Sequence, residues 1–191
     1  MPARDGGSLW RDSVRRLVDG LVGLAVDEGE IAYYWPNIQL ARKERPPDGH
    51  DLVAAGFDGY SHVVNGLVHA HRLLGYEPAL EIARKITALM RLYFGPDGSF
   101  LSSPGNPLSA HFHGHSHSLL AMLRYARTVH DKELTEFVER SYEYAKGYVS
   151  NLVWKQRLTT MSVSGEVVKT PGGSLIGYFP EVVNTPKWEG A

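Results

Sequence analysis

Four histidines stand at alternate positions in Ser109-Ala110-His111-Phe112-His113-Gly114-His115-Ser116-His117, just ahead of the apolar residues Leu119, Leu120, Met122 and Leu123. Imidazole moves protons near neutral pH, ligates metals and hydrogen-bonds polar ligands. A second such group, Asp58, Tyr60 and His62, precedes another apolar run. His113 and His117 are four residues apart, as are Asp58 and His62, so each pair shares one face of a helix. The first pair can hold a zinc ion, with His111 or Asp58 completing the shell. No Glu stands between the two histidines in the manner of zinc proteases, and zinc is therefore the lesser reading beside cofactor-free chemistry.

Carboxyl groups offer a different chemistry. Hydrolysis of a glycosidic bond needs two of them, an acid and a base or nucleophile. Asp58 and Glu181 are the candidates, because each is flanked by aromatic residues (Phe57 and Tyr60; Tyr178 and Phe179). A carboxyl group beside aromatic surface tends to titrate high, which suits a general acid. Both also have structural roles open to them, Asp58 as a helix N-cap and Glu181 in a first turn.

Five helices must position these residues. Apolar periodicity predicts them at about Ser8 to Val26, Gly59 to Leu74, Pro78 to Tyr93, Phe112 to Val129 and Asp131 to Val149. The first carries Trp10, Val14, Leu17, Leu21 and Leu24 towards a core. The second and fourth are apolar nearly all round, as buried inner helices are, and the third and fifth have one wet face. One constant shift lays the second and third helices over the fourth and fifth. Tyr60-Ser61-His62 falls on His115-Ser116-His117, Arg72 on Arg127, Glu81 on Glu136 and Ile82-Ala83 on Phe137-Val138. Such an internal period marks helical hairpins that cannot bury their faces alone. The expected fold is therefore all-α, one domain over residues 1–191, with hairpins in a two-layer arc. A small β-hairpin is expected around 155–170, within a long loop or insertion at 151–180. His69 and His71 read as packing histidines, His50 and His130 as loop residues.

Long loops (Asp27 to Phe57, Phe94 to His111, Asn151 to Glu181) all return to the face where the inner helices start, and loops of that length are usually functional. They bring Trp35, Tyr178 and Phe179 there. Aromatic faces beside carboxylates and histidines suit sugars, so Trp35, Tyr60, His111, His113, His115, Tyr178 and Phe179 are the candidate substrate contacts, around Asp58, Glu181, His62 and His117 as candidate catalytic groups. The same aromatics can simply plug the ends of the helical layers.

The chain has 191 residues, 43% of them hydrophobic and 21% charged, with a net charge of -1. Its Lys and Arg do not cluster, which excludes a nucleic-acid or anionic-membrane footprint. Cysteine is absent, ruling out disulfides, thiolate nucleophiles and Cys-based zinc sites. With no apolar stretch near the roughly 20 residues of a membrane span and no secretory h-region, the expected location is the cytoplasm.

Alternating inner and outer helices, the run His111 to Leu120 and, after an outer helix, Gly177-Tyr178-Phe179-Pro180-Glu181 resemble the six-hairpin glycosidase superfamily, an (α/α) toroid. Among its members the chain looks most like bacterial glycoside hydrolases related to β-L-arabinofuranosidases. The resemblance covers about Ser8 to Glu181 and implies a carbohydrate-active, glycoside hydrolase-like protein with its cleft at the inner-helix starts. It departs from those arabinofuranosidases in lacking the zinc-bound cysteine nucleophile. A non-catalytic module binding a glycan or a protein, and a lyase or epimerase using His117 and His62 as acid and base, are the alternatives. The hairpins present make about half of a six-hairpin ring. The expectation is a homodimer, or completion by another chain, burying Trp10, Val14 and Leu17 at one end and Phe137, Tyr142 and Val149 near the other.

Overall fold

The structure is a computed structural model. It describes residues 6–34, 57–107 and 110–148, with short strands at 153–154, 158–161, 167–170, 173–174 and 182–183. The fold is all-α with small antiparallel strand pairs. In order come α1 (Gly6–Leu24), β1 (Val26–Asp27), β2 (Ala32–Tyr33), α2 (Phe57–Leu74), α3 (Glu77–Arg91), β3 (Ala110–His111), α4 (Phe112–Val129), α5 (Lys132–Lys146), β4 (Val153–Trp154), β5 (Leu158–Met161), β6 (Val167–Thr170), β7 (Gly173–Ser174) and β8 (Val182–Val183). Among the described residues no helix is long and apolar enough to cross a membrane.

The two hairpins form for the same reasons. On α3, Ala79, Ile82, Ala83, Ile86, Leu89 and Met90 recur at helical spacing and are buried, while Pro78 in the first turn sets the helical φ without losing a needed donor. On α5, Phe137, Val138, Ser141 and Ala145 are buried, and the Asp131 side chain caps the helix by accepting from the Leu134 N–H at 2.9 Å. Helices α2 and α4 lie along one another as the inner pair, each with its outer partner, α3 or α5, behind it, and α1 packs on both α2 and α3. Strands β5 and β6 pair from Leu158↔Thr170 to Met161↔Val167, which is the expected hairpin.

The turn inside each hairpin repeats too. Gly75 ends α2 at φ 64°, and His130, which the repeat places on it, ends α4 at φ 58°. The N–H of Gly75 reaches the His71 carbonyl at 2.7 Å, and the cap N–H of His130 reaches the equivalent Ala126 carbonyl. This left-handed cap is glycine's natural place. His130 is exposed and is the one non-glycine at positive φ among the described residues. His130→Gly is therefore expected to stabilise the fold by about 0.5–1 kcal/mol, read as a rise in Tm of roughly 1–4 °C. An unchanged or lower Tm refutes the strain argument.

Several sequence expectations change. Helix α1 has two apolar stripes rather than one. Val18 is buried with Val14, Leu21 and Val22 beside it, whereas Trp10 (43%), Leu17 (71%) and Leu24 (49%) are exposed. A seven-residue spacing keeps that second stripe in line along the helix. Phe137, expected at an exposed end, is fully buried, with Phe94 edge-on at 5.7 Å and the Arg91 guanidinium 3.2 Å over its ring. The inner helices are not apolar all round, since α2 exposes His69, Arg72 and Leu73, and α4 exposes Leu120, Arg124 and Arg127. His69 lies about two and a half turns from the buried Tyr60 and so points the opposite way. His71 is half-buried, 3.6 Å from Glu77. His50 and Val149 lie outside the described residues.

Candidate functional site

The inner helices start at one place, and their first turns are built alike. Tyr60 and His115 occupy the same repeat position, and each is buried, at 3% and 2% exposure. Each uses its polar atoms to catch the loop that arrives from the preceding outer helix. The Tyr60 hydroxyl accepts from the Tyr34 N–H and donates to the Tyr34 carbonyl, both at 3.3 Å, and the two rings lie 6.4 Å apart. Tyr34 in turn donates to the Leu21 carbonyl at 2.9 Å. Burial first, then the neighbouring Tyr60, pushes the Tyr34 phenol up to about 12.

At His115 the partners are backbone carbonyls: His111 at 2.7 Å from Nδ1, and Leu101 at 2.8 Å and Tyr93 at 3.1 Å from Nε2. Its ring stacks on Phe100 at 4.7 Å and meets Phe94 edge-on at 5.0 Å. Burial pushes the imidazole below the ordinary histidine range, against the pull of the three carbonyls. Tyr60 and His115, expected as substrate contacts, are thus built into the packing. The inward direction of their side chains removes them from the surface a ligand meets.

The next repeat position does the opposite. His62 and His117 are exposed, and their rings touch edge to face with centroids 5.8 Å apart. His113 lies 5.9 Å beyond His117, and the half-buried His111 is 4.0 Å from His113. The result is an open row of four imidazoles across the starts of α2 and α4. Ser116, between His115 and His117, donates to the Phe112 carbonyl at 2.9 Å and belongs to the helix. At the far end of the row Val182 pairs with His111 and Val183 with Ala110, which brings the strand β8 to this face.

Asp58 is the second residue of α2, one turn before His62; its side chain is not among the described ones. Glu181, Trp35, Tyr178 and Phe179 lie outside the described residues. Among the described residues no group of three His, Asp or Glu side chains is gathered to hold a metal ion. A carboxylate outside the sequence-predicted site is Asp97, which borders the same groove as His113 and His117. Its carboxyl accepts from the Ser99 hydroxyl at 2.7 Å and the Ser99 N–H at 3.1 Å, which holds it below the usual carboxylate range. It stays ionised near neutral pH, as a base or a turn-former does and a general acid does not. The Asp-x-Ser spacing of a turn was its signal in the sequence.

No protein-family model, no curated protein and no solved structure matches the chain.

Proposed function

We propose that the face where α2 and α4 begin binds carbohydrate and that the chain is glycoside hydrolase-like, acting there. The observation that carries this reading is the contact between His62 and His117, two repeat-related, solvent-facing imidazoles 5.8 Å apart, with His113 and His111 continuing the row. Imidazoles at such spacing can engage neighbouring hydroxyls on one sugar, both as donors and as acceptors. Asp58, one turn before His62, and Glu181, next in sequence to the strand that pairs with His111, are the acid and the base or nucleophile. Trp35, Tyr178 and Phe179 supply the apolar platform for the sugar ring.

The same His62–His117 contact supports a second reading, proton transfer at carbon by a sugar lyase or epimerase, with the two imidazoles as acid and base. A panel of nitrophenyl glycosides, followed by product release and by imidazole NMR shifts, separates the possibilities. Hydrolysis that falls at least about 100-fold in Asp58→Asn or Glu181→Gln is the expected result. Exchange of a ring-carbon proton for solvent deuterium, or an unsaturated sugar product, that survives both changes but disappears in His62→Ala and His117→Ala moves the reading to lyase or epimerase chemistry, since proton transfer at carbon releases no nitrophenol. Sugar-dependent shifts at His62 and His117 without turnover leave a glycan-binding module. No shift and no turnover with any sugar refutes the proposal.

A further inference from the structure

Helix α1 is apolar on two sides, and the described structure uses one. Val14, Val18, Leu21 and Val22 face α2 and α3, whereas Trp10, Leu17 and Leu24, with Leu9 beside them, form an exposed stripe. Exposed large apolar residues in line on one helix mark an interface rather than a solvated face.

A complementary surface lies at the other end of the repeat. A groove of about 1290 Å³ runs along α4 and α5, with Leu120, Leu123 and Tyr142 among its walls. His113, Ser116 and His117 stand at its α4 start, so that an occupant of its full length stands against two of the four imidazoles of the histidine row. The shift that relates the hairpins shows what this surface is. It carries Val68 to Leu123 and Thr87 to Tyr142. In the first hairpin those positions are closed, Val68 at 2% and Thr87 at 4% exposure, and the second hairpin packs on both α2 and α3 through α4. In the second hairpin Leu123 is half-buried and Tyr142 is 58% exposed. The groove is thus the repeat's own stacking face, continued one unit further and left open among the described residues.

Length and charge match the two surfaces. The 19 residues of α1 span about 28 Å, and the 18 of α4 about 27 Å. Helix α1 carries Arg11, Arg15 and Arg16 against Asp12 and Asp19. The groove is bordered by Asp97, Glu136, Glu139 and Glu143 against Arg127 and Arg140. A net-positive helix faces a net-negative groove, which favours this pairing over groove on groove.

We infer that the α4/α5 groove receives α1 of a second copy of this chain. The contact is head-to-tail, and two copies that exchange α1 stripes close it around a two-fold axis. Sedimentation at micromolar concentration is expected to give twice the chain mass of 21.2 kDa. Leu17→Glu and Leu120→Glu, both at exposed positions, are each expected to return it to the single-chain mass with unchanged helicity. Because the chain has no cysteine, a second measurement does not depend on those charged variants. A Leu17→Cys chain mixed with a Leu120→Cys chain and a short bismaleimide is expected to give a cross-linked pair, and neither chain alone is. A wild-type chain at 21.2 kDa overturns the inference and leaves the groove to another part of the chain or to a different protein. A doubled mass that survives either charged variant, or cross-linking by Leu17→Cys alone, overturns it as well.

Discussion

Replacing His115 by alanine is expected to cost about 3–5 kcal/mol, among the largest effects of any single change in the described chain. The loss has two parts. One is the cavity beside Phe100 and Phe94, whose rings pack on the imidazole at 4.7 and 5.0 Å. The other is the hydrogen bond that the ring donates: held below the ordinary histidine range, the imidazole is neutral and carries one N–H, which in the Nε2–H tautomer serves Leu101 and Tyr93. The Tyr93 carbonyl also accepts from the Leu101 N–H at 2.9 Å, so the loss falls hardest on Leu101, whose bond to Nε2 is 2.8 Å. His115→Phe separates the two parts, because it keeps an aromatic disc and removes the donor. It is expected to cost about 1–3 kcal/mol. Chemical denaturation of the two variants checks this. His115→Ala within 1 kcal/mol of wild type, on the same scale of cost, would return His115 to the list of ligand-binding residues.

His115 also shows why the sequence is informative about the fold and less so about the site. All five helices follow from apolar spacing, and α4 begins and ends where that spacing predicts, at Phe112 and Val129. The internal repeat is visible in one dimension because both hairpins place apolar residues at matching positions, Ile82-Ala83 against Phe137-Val138, and keep His62/His117, Arg72/Arg127 and Glu81/Glu136 on the surface. Direction is harder to read. In Tyr60-Ser61-His62 and His115-Ser116-His117 the first residue turns inward and the third outward. A run of alternating histidines contains both kinds without distinguishing them. What separates them is the loop that returns to Tyr60 through Tyr34 and to His115 through Leu101, contacts 26 and 14 residues away in sequence. The same limit applies to α1, where two apolar stripes only become distinct once a partner occupies one of them. The histidine row itself was legible as a cluster, and the structure reduces it to His62, His117, His113 and His111.

The loop that His115 holds from one side is held from the other by a glycine. Gly98 sits at φ 89° in the tight turn between Phe94 and Phe100. A β-carbon built there lies 2.7 Å from the Ser141 backbone N and 2.9 Å from the Arg140 carbonyl carbon, in the middle of α5. Backbone atoms inside a helix cannot swing aside as the end of a flexible side chain can. Gly98→Ala therefore forces either α5 or the turn to move, in addition to the cost of a positive φ. Together these are expected to destabilise the fold by about 3 kcal/mol or more. Gly105 isolates the first contribution. It has φ 80° with no atom within 4 Å of its added β-carbon, so Gly105→Ala is expected to cost only about 1–2 kcal/mol, the backbone conformation alone. Displacing the turn also withdraws the Leu101 carbonyl from His115 and the Phe94 and Phe100 rings from their stack, so Gly98→Ala should weaken the same layer as His115→Ala. The double variant should then lose less than the sum of the two single losses, because both act on one contact. Equal costs at Gly98 and Gly105, or strict additivity with His115, would mean that the turn and the start of α4 are held independently.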